Sequence, residues 1–221
     1  MTLPILHIGN KNYSSWSMRP WLALTWGGVA FEERIIPLGG EGYGRSQIKA
    51  VRDVSPSGRV PALHVDGAVI HESLAICEWA AEQAPSLWPK DALLRARARS
   101  AASEMHAGFG ALRRDMSMNI RRRLESTPKW PGDTRADIAQ LETIWGDLRN
   151  RFGGPFLFGQ RSIADAMFAP VATRLRTYAV AISPQAQSYC ATIFADPAFQ
   201  DWERAAEAET WTIEQTEALH R

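Results

Sequence analysis

One short stretch constrains this chain more than any other. Ala84-Pro85-Ser86-Leu87-Trp88-Pro89-Lys90 carries two prolines and no apolar periodicity, and the pattern of the chain changes across it. Proline lacks the N–H that a helix interior or a central strand needs, so the stretch reads as a linker. Before it, short apolar runs alternate with helical patterns, the signature of a mixed α/β unit with crossover connections. After it, every periodic segment is helical. The change predicts an α/β domain over residues 1–83, a linker over 84–90 and an all-helical domain over 91–221. With 221 residues, 45% of them hydrophobic, the chain can fill both cores.

Within the first domain, Leu3 to Ile8 reads as a strand, Met18 to Trp26 as a helix ended by Gly27-Gly28, and Phe31 to Ile36 as a second strand. A Gly-rich, charged stretch from Pro37 to Ser57 reads as a loop. Ala62 to Val65 and Ala68 to Ile70 form a hairpin turning at Asp66-Gly67, followed by a helix over Glu72 to Glu82. Beyond the linker, Asp91 to about Arg123 and Asp133 to Phe152 read as two long helices in an antiparallel hairpin, joined by the proline-containing turn Ser126 to Gly132. Ser162-Ile163-Ala164-Asp165 opens another helix with a capping box in which Asp replaces the usual Glu. Two shorter helices, near Gln185 to Ala195 and Pro197 to Ala208, precede a tail containing Trp211.

Charge narrows the partners. Twenty-five basic against 24 acidic residues leave a net charge of +1, so no global field favours nucleic acid or an anionic membrane. The one dense basic run, Arg121-Arg122-Arg123, suits a solvated helix end. Cys77 and Cys190 are far apart, outside any CxxC and among apolar neighbours, which argues against a disulfide framework or a metal site. No secretory leader pattern and no run of 18 apolar residues is visible, and a cytoplasmic protein is expected.

Three local motifs in the first domain converge on a short peptide with an anionic end. Ser14, Ser15 and Ser17 follow a strand and stand at a helix start, where unpaired N–H groups and the helix dipole favour an anion, although capping alone accounts for one serine. In Gly58-Arg59-Val60-Pro61-Ala62 a proline begins a strand, so the backbone near Val60 can offer its polar groups to a peptide. In His71-Glu72-Ser73, Glu72 can accept from an ammonium while Ser73 and first-turn N–H groups hold a carboxylate; a dipole-favoured Glu is the plainer alternative.

Taken together, Ser14-Ser15-Trp16-Ser17-Met18-Arg19 after the first strand, Val60-Pro61, Glu72-Ser73 and the capping box at Ser162 to Asp165 resemble the glutathione S-transferase family over essentially the whole chain. The resemblance implies a fold of α/β plus all-α type: a thioredoxin-like domain with a mixed four-stranded sheet, then the helical domain. It implies a detoxifying transferase of the EC 2.5.1.18 type, a homodimer, that takes glutathione as co-substrate and uses no metal. By the same resemblance, Glu72 and Ser73 hold the γ-glutamyl end, Val60 pairs with the cysteinyl backbone before a cis Pro61, and the sulfur lies beside the serine turn. Ser14 is expected to activate the thiol, with Ser15 next and Tyr13 third; Ser17 and Arg19 are expected to serve as cap and core contacts.

The serine turn is nearest the zeta class, with Trp16 standing where that class has Cys. Isomerisation or dehalogenation of zeta-like type is therefore an alternative to transfer onto a small apolar electrophile, and a non-catalytic binding module is a further one. A thiol-reducing branch would need a cysteine at the turn, and none occurs between Met1 and Ile76. Met105, His106, Phe109, Arg113 and Met116 recur at helical spacing and are candidates to line a second-substrate cleft, although such a stripe also suits a core. Arg176, one residue out of register, is the candidate match to the zeta substrate-carboxylate arginine.

Overall fold

The computed structural model describes residues 2–219; Met1, His220 and Arg221, and with them the outer ends of the two expected domains, lie outside the described residues. Strand β1 (Ile5–Ile8) leads through helix α1 (Ser15–Trp26) to β2 (Glu32–Ile35), which lies parallel to β1. Beyond the short helix α2 (Lys49–Arg52), β3 (Ala62–Val65) and β4 (Ala68–His71) form an antiparallel hairpin, and β3 pairs antiparallel with β1. The order is β2-β1-β3-β4, a mixed four-stranded sheet. Asp66 and Gly67, both at positive φ, form the tight hairpin turn expected of an Asp-Gly pair. Helix α3 (Ser73–Gln83) packs against α1, and Leu6, Ile8 and Leu63 are fully buried at the centre of the sheet.

A 3₁₀ turn over Pro85–Leu87 marks the junction, and beyond it the described residues are helical apart from loops and isolated bridges. Helix α7 (Ile163–Thr177) is buried along nearly its whole length and packs on α1 from the first half and α4 (Ala92–Ala107) from the second. One continuous core therefore runs through both halves. At its start, both the backbone N–H and the hydroxyl of Ser162 donate to Asp165 Oδ2, at 2.9 and 3.0 Å, which is the acidic half of the capping box.

Three expectations need correction. The long helix expected over 91–123 breaks at Gly108, and α5 (Gly110–Asp115) starts after Phe109, which takes a left-handed φ of 58°. Arg113 stabilises the break by donating to the carbonyls of Met105, His106 and Gly108, the unpaired acceptors at the end of α4. The simple two-helix hairpin also gives way: α6 (Gly132–Phe152) packs against α5 and α8 (Pro184–Ala195), while α4 packs against α7. Helix α2 interrupts the expected loop, and after α9 (Pro197–Ala208) the tail carries a short α10 (Glu214–Glu217).

Candidate functional site

A cleft of about 630 Å³ opens at the N-terminus of α1. Ser14, Ser15, Val60, Pro61, Glu72 and Ser73 all line it, together with Tyr13, Trp16 and His106. Each comes from the end of a regular element: the β1–α1 turn, the segment entering β3, and the first residues of α3. The Val60–Pro61 peptide is cis. Gly58, at φ 65°, lets this segment lie close to the 42–47 loop, since a Cβ there would meet Ser46 O at 2.6 Å.

The serine turn is wired differently from a cap. Ser14 occupies the N-cap of α1 but its side chain makes no capping bond. Its Oγ lies 2.7 Å from Ser17 Oγ, which in turn accepts from Gly9 N–H at 3.1 Å. Ser15 Oγ accepts from Arg174 Nη2 at 2.9 Å. The Tyr13 hydroxyl is committed elsewhere, donating to Glu217 Oε1 at 2.5 Å and accepting from Arg121 Nη2 at 2.9 Å.

At the other end, Glu72 sits at φ 74°, a left-handed conformation that a side chain rarely adopts and that costs about 1–3 kcal/mol. Such outliers concentrate where a ligand is clamped. Beside it the Ser73 hydroxyl is buried and has no hydrogen-bond partner among the described residues. A buried hydroxyl without a partner costs roughly 1–3 kcal/mol, which a ligand in the cleft would recover.

Behind Ser15 and Trp16 stand three arginines. The Arg19 and Arg113 guanidinium groups lie 4.3 and 4.9 Å from the Trp16 ring centroid. Arg174 donates from Nε to Met116 O at 2.7 Å as well as to Ser15. Burial, then Arg174 and Arg113 nearby, pulls Arg19 well below its ordinary value; burial, then Arg113, pulls Arg174 down to about 10. Among the described residues, Nη1 and Nη2 of Arg19, Nη1 of Arg174 and Nε of Arg113 have no hydrogen-bond partner. Concentrated positive charge of this kind favours an anion at the serine end of the cleft. His106 lies 3.9 Å from Glu72 through Nε2, and burial and Arg19 push its imidazole below the usual range.

The other second-substrate candidates fall outside the lining. Met105 and Met116 are fully buried, Phe109 is nearly so, and Arg113 caps α4. Arg176 turns to the opposite side of α7, where it pairs with Glu203 and covers Phe194 at 4.1 Å in a separate groove. Arg174, two residues earlier, reaches the serine turn instead. Residues two apart on a helix point in nearly opposite directions, so Arg174 and Arg176 face different sides of α7.

Two family descriptions match the chain: the glutathione S-transferase N-terminal domain over residues 13–83 and the C-terminal domain over residues 95–208. The chain belongs to the glutathione S-transferase family. The family uses glutathione, and the chain resembles several of its isomerases. It is 28% identical to maleylacetoacetate isomerase of Pseudomonas aeruginosa over 211 residues, 90% of this chain and 95% of that protein. It is 36% identical to a probable maleylacetoacetate isomerase of Caenorhabditis elegans, a match spanning 49% of either chain. Its fold matches the crystal structure of maleylacetoacetate isomerase from Anaeromyxobacter dehalogenans, which has glutathione bound in its active site. The TM-score is 0.65 at 24% identity, over 95% of this chain and 98% of that one. In this transferase-family chain, no group of three or more His, Cys, Asp or Glu among the described residues could hold a metal ion, and no described helix is long and apolar enough to cross a membrane.

Proposed function

We propose that this protein is a glutathione-dependent enzyme in which Ser14 holds the co-substrate's sulfur as a thiolate for attack on a small electrophile. The observation that carries the reading is the Ser14 hydroxyl, free of capping duty, at the α1 N-terminus in the same cleft as the unpartnered Ser73 hydroxyl. The residues fit the peptide: Glu72 for the ammonium, Ser73 for the carboxylate of the γ-glutamyl end, and the backbone of Val60 before Pro61 for the cysteinyl unit. Residues 1–83 then bind glutathione, residues 84–90 link, and helices from 91–221 contribute the wall facing the electrophile.

A free thiol titrates near ~8.5, so little of it is ionised at neutral pH. A hydroxyl donating to the sulfur contributes about 1.5–3 kcal/mol and the helix N-terminus about 0.3–1, which lowers the thiol by roughly one to three pH units. From the middle of that range upward, most of the bound glutathione is ionised at neutral pH.

A second reading keeps this chemistry and changes the outcome. The thiolate adds to a carbon–carbon double bond of a carboxylate-bearing substrate, the resulting single bond rotates, and the thiolate is expelled, giving the isomer. Arg174 beside Ser15, with unpaired guanidinium N–H groups behind Trp16, favours it, as do the isomerase names of the relatives. Thiolate absorbance of bound glutathione against pH tests the shared step: a midpoint at the solution value would overturn both readings. Assays with an apolar aryl halide and with a cis-configured unsaturated keto acid then separate transfer from isomerisation.

A further inference from the structure

The Ser17 hydroxyl is fully buried and does not line the cleft, yet it lies between the end of β1 and Ser14. A hydroxyl has one proton to donate and two lone pairs that accept. The Gly9 N–H occupies a lone pair of Ser17, so that contact leaves the Ser17 proton free to donate. Its hydroxyl partner is Ser14 Oγ at 2.7 Å. Were Ser14 the donor in that pair, the buried Ser17 proton would be left with no acceptor among the described residues, an arrangement proteins avoid. With Ser17 donating, the Gly9 N–H and the Ser17 hydroxyl both have partners, and the proton left over is that of Ser14, at the cleft wall.

We infer that Ser17 is a positioning residue for the proposed reaction: its hydroxyl donates to Ser14 Oγ and so directs the Ser14 proton at the sulfur. The inference rests on the reading that Ser14 serves the thiolate. The order Gly9 N–H to Ser17 O–H to Ser14 O–H to sulfur also polarises each bond by the next, strengthening the last one. Leu38 packs directly on Gly9 at the origin of this relay, where an added Cβ would lie 2.4 Å from its Cδ1 and the leucine would have to move. A purely structural Ser17 would tie β1 to α1 and leave the sulfur's ionisation alone.

The test is the ionisation midpoint of bound glutathione in the parent, Ser14→Ala, Ser17→Ala, Ser17→Thr and the double alanine variant. Strengthening by 10–30% of a hydroxyl bond, plus loss of its orientation, corresponds to a rise of roughly half a pH unit for Ser17→Ala. Ser17→Thr, which keeps the hydroxyl, is expected to titrate like the parent. In the Ser14→Ala background, removing Ser17 is expected to change nothing further. A Ser17→Ala midpoint equal to the parent's, while Ser14→Ala raises it, overturns the relay and leaves the proposed function intact. An equal rise with and without Ser14 also overturns it. A parent midpoint at the solution value overturns the proposed function itself. Should Ser17→Ala fail to fold, Ser17→Cys keeps the volume with a poorer donor and must titrate above Ser17→Thr.

Discussion

Arg174 Nη2 donates to Ser15 Oγ across 2.9 Å, joining the last turn of α7 to the first residue of α1. The bond occupies a lone pair of Ser15 and leaves its proton for the cleft. It also sets a guanidinium with an unused Nη1 behind the serine turn. Arg174→Met is expected to separate the two proposed reactions. Arg174 is buried behind Ser15 and outside the cleft lining, so it acts on a substrate carboxylate through space; losing a charge effect of about 1.4 kcal/mol should lower kcat/KM for a carboxylate-bearing electrophile roughly tenfold. Turnover of an apolar electrophile should change only a few-fold. Equal losses for both would assign Arg174 to the fold or to the thiol instead.

Trp16 lies between that positive cluster and the cleft, its ring packed by Arg19 and Arg113 and edge-on to His106 at 5.5 Å. Trp16→Ala removes two cation–π contacts and a large half-buried ring, which should destabilise the protein by about 2–4 kcal/mol in denaturant unfolding. The same change opens the serine end of the cleft. Bulkier electrophiles should gain in kcat/KM relative to small ones; an unchanged ranking would show that Trp16 does not shape the second-substrate space.

The contrast between these residues and the glutathione end shows what was legible in the chain. Ser14, Val60-Pro61 and Glu72-Ser73 are local motifs, each at the end of one element, and the fold brings them to one cleft wall without further specification. Trp16 was visible as a departure, but the arginines behind it and Ser15 come from α1, α5 and α7, and no periodicity announces such a meeting. Phe109 and Arg113 were expected at the electrophile site because the stripe continued at helical spacing. Gly108 and Gly110 flanking Phe109 were the available sign that the helix stops there. The Ser17 link depends on a backbone N–H from the far end of β1, which no side-chain pattern encodes.

Asp165 gathers four donors: Leu157 N–H and the Tyr189 hydroxyl on Oδ1, and the Ser162 N–H and hydroxyl on Oδ2. Burial nonetheless pushes its carboxyl up to about 6. A carboxyl raised on folding stabilises the fold below its ordinary value near ~4, and that contribution is lost as pH rises through the folded value. Asn at this position does not titrate and cannot accept on its amide nitrogen, so Asp165→Asn should be less stable than the parent. Lowering the pH from 7 to 5 should widen the gap by roughly 1 kcal/mol, because only the parent gains a proton on folding. Thermal unfolding of both proteins across that range checks the sign; a gap that narrows on acidification contradicts it.

Glu209, just beyond α9, accepts from the backbone N–H groups of Lys11 at 2.6 Å and Asn12 at 3.1 Å, and so ties the C-terminal segment to the turn leading into Ser14. Arg121 braces the same contact by donating to the Glu209 carbonyl, to Trp211 O and to the Tyr13 hydroxyl. Hydrogen bonds to a charged acceptor contribute about 1.5–3 kcal/mol each, so Glu209→Ala removes a substantial share of what holds residues 10–13. Amide hydrogen exchange at Lys11 and Asn12 should accelerate by at least tenfold, while exchange at Leu63 in the sheet centre stays slow. Because the turn leads into Ser14 and contributes Tyr13 to the cleft wall, glutathione should bind several-fold more weakly. Its thiol midpoint should move little, since the Ser17 to Ser14 contact lies within α1 and its cap rather than in the loosened turn. Faster exchange with unchanged glutathione affinity would mean that the serine turn is held by α1 alone and that the C-terminal segment contributes only to stability.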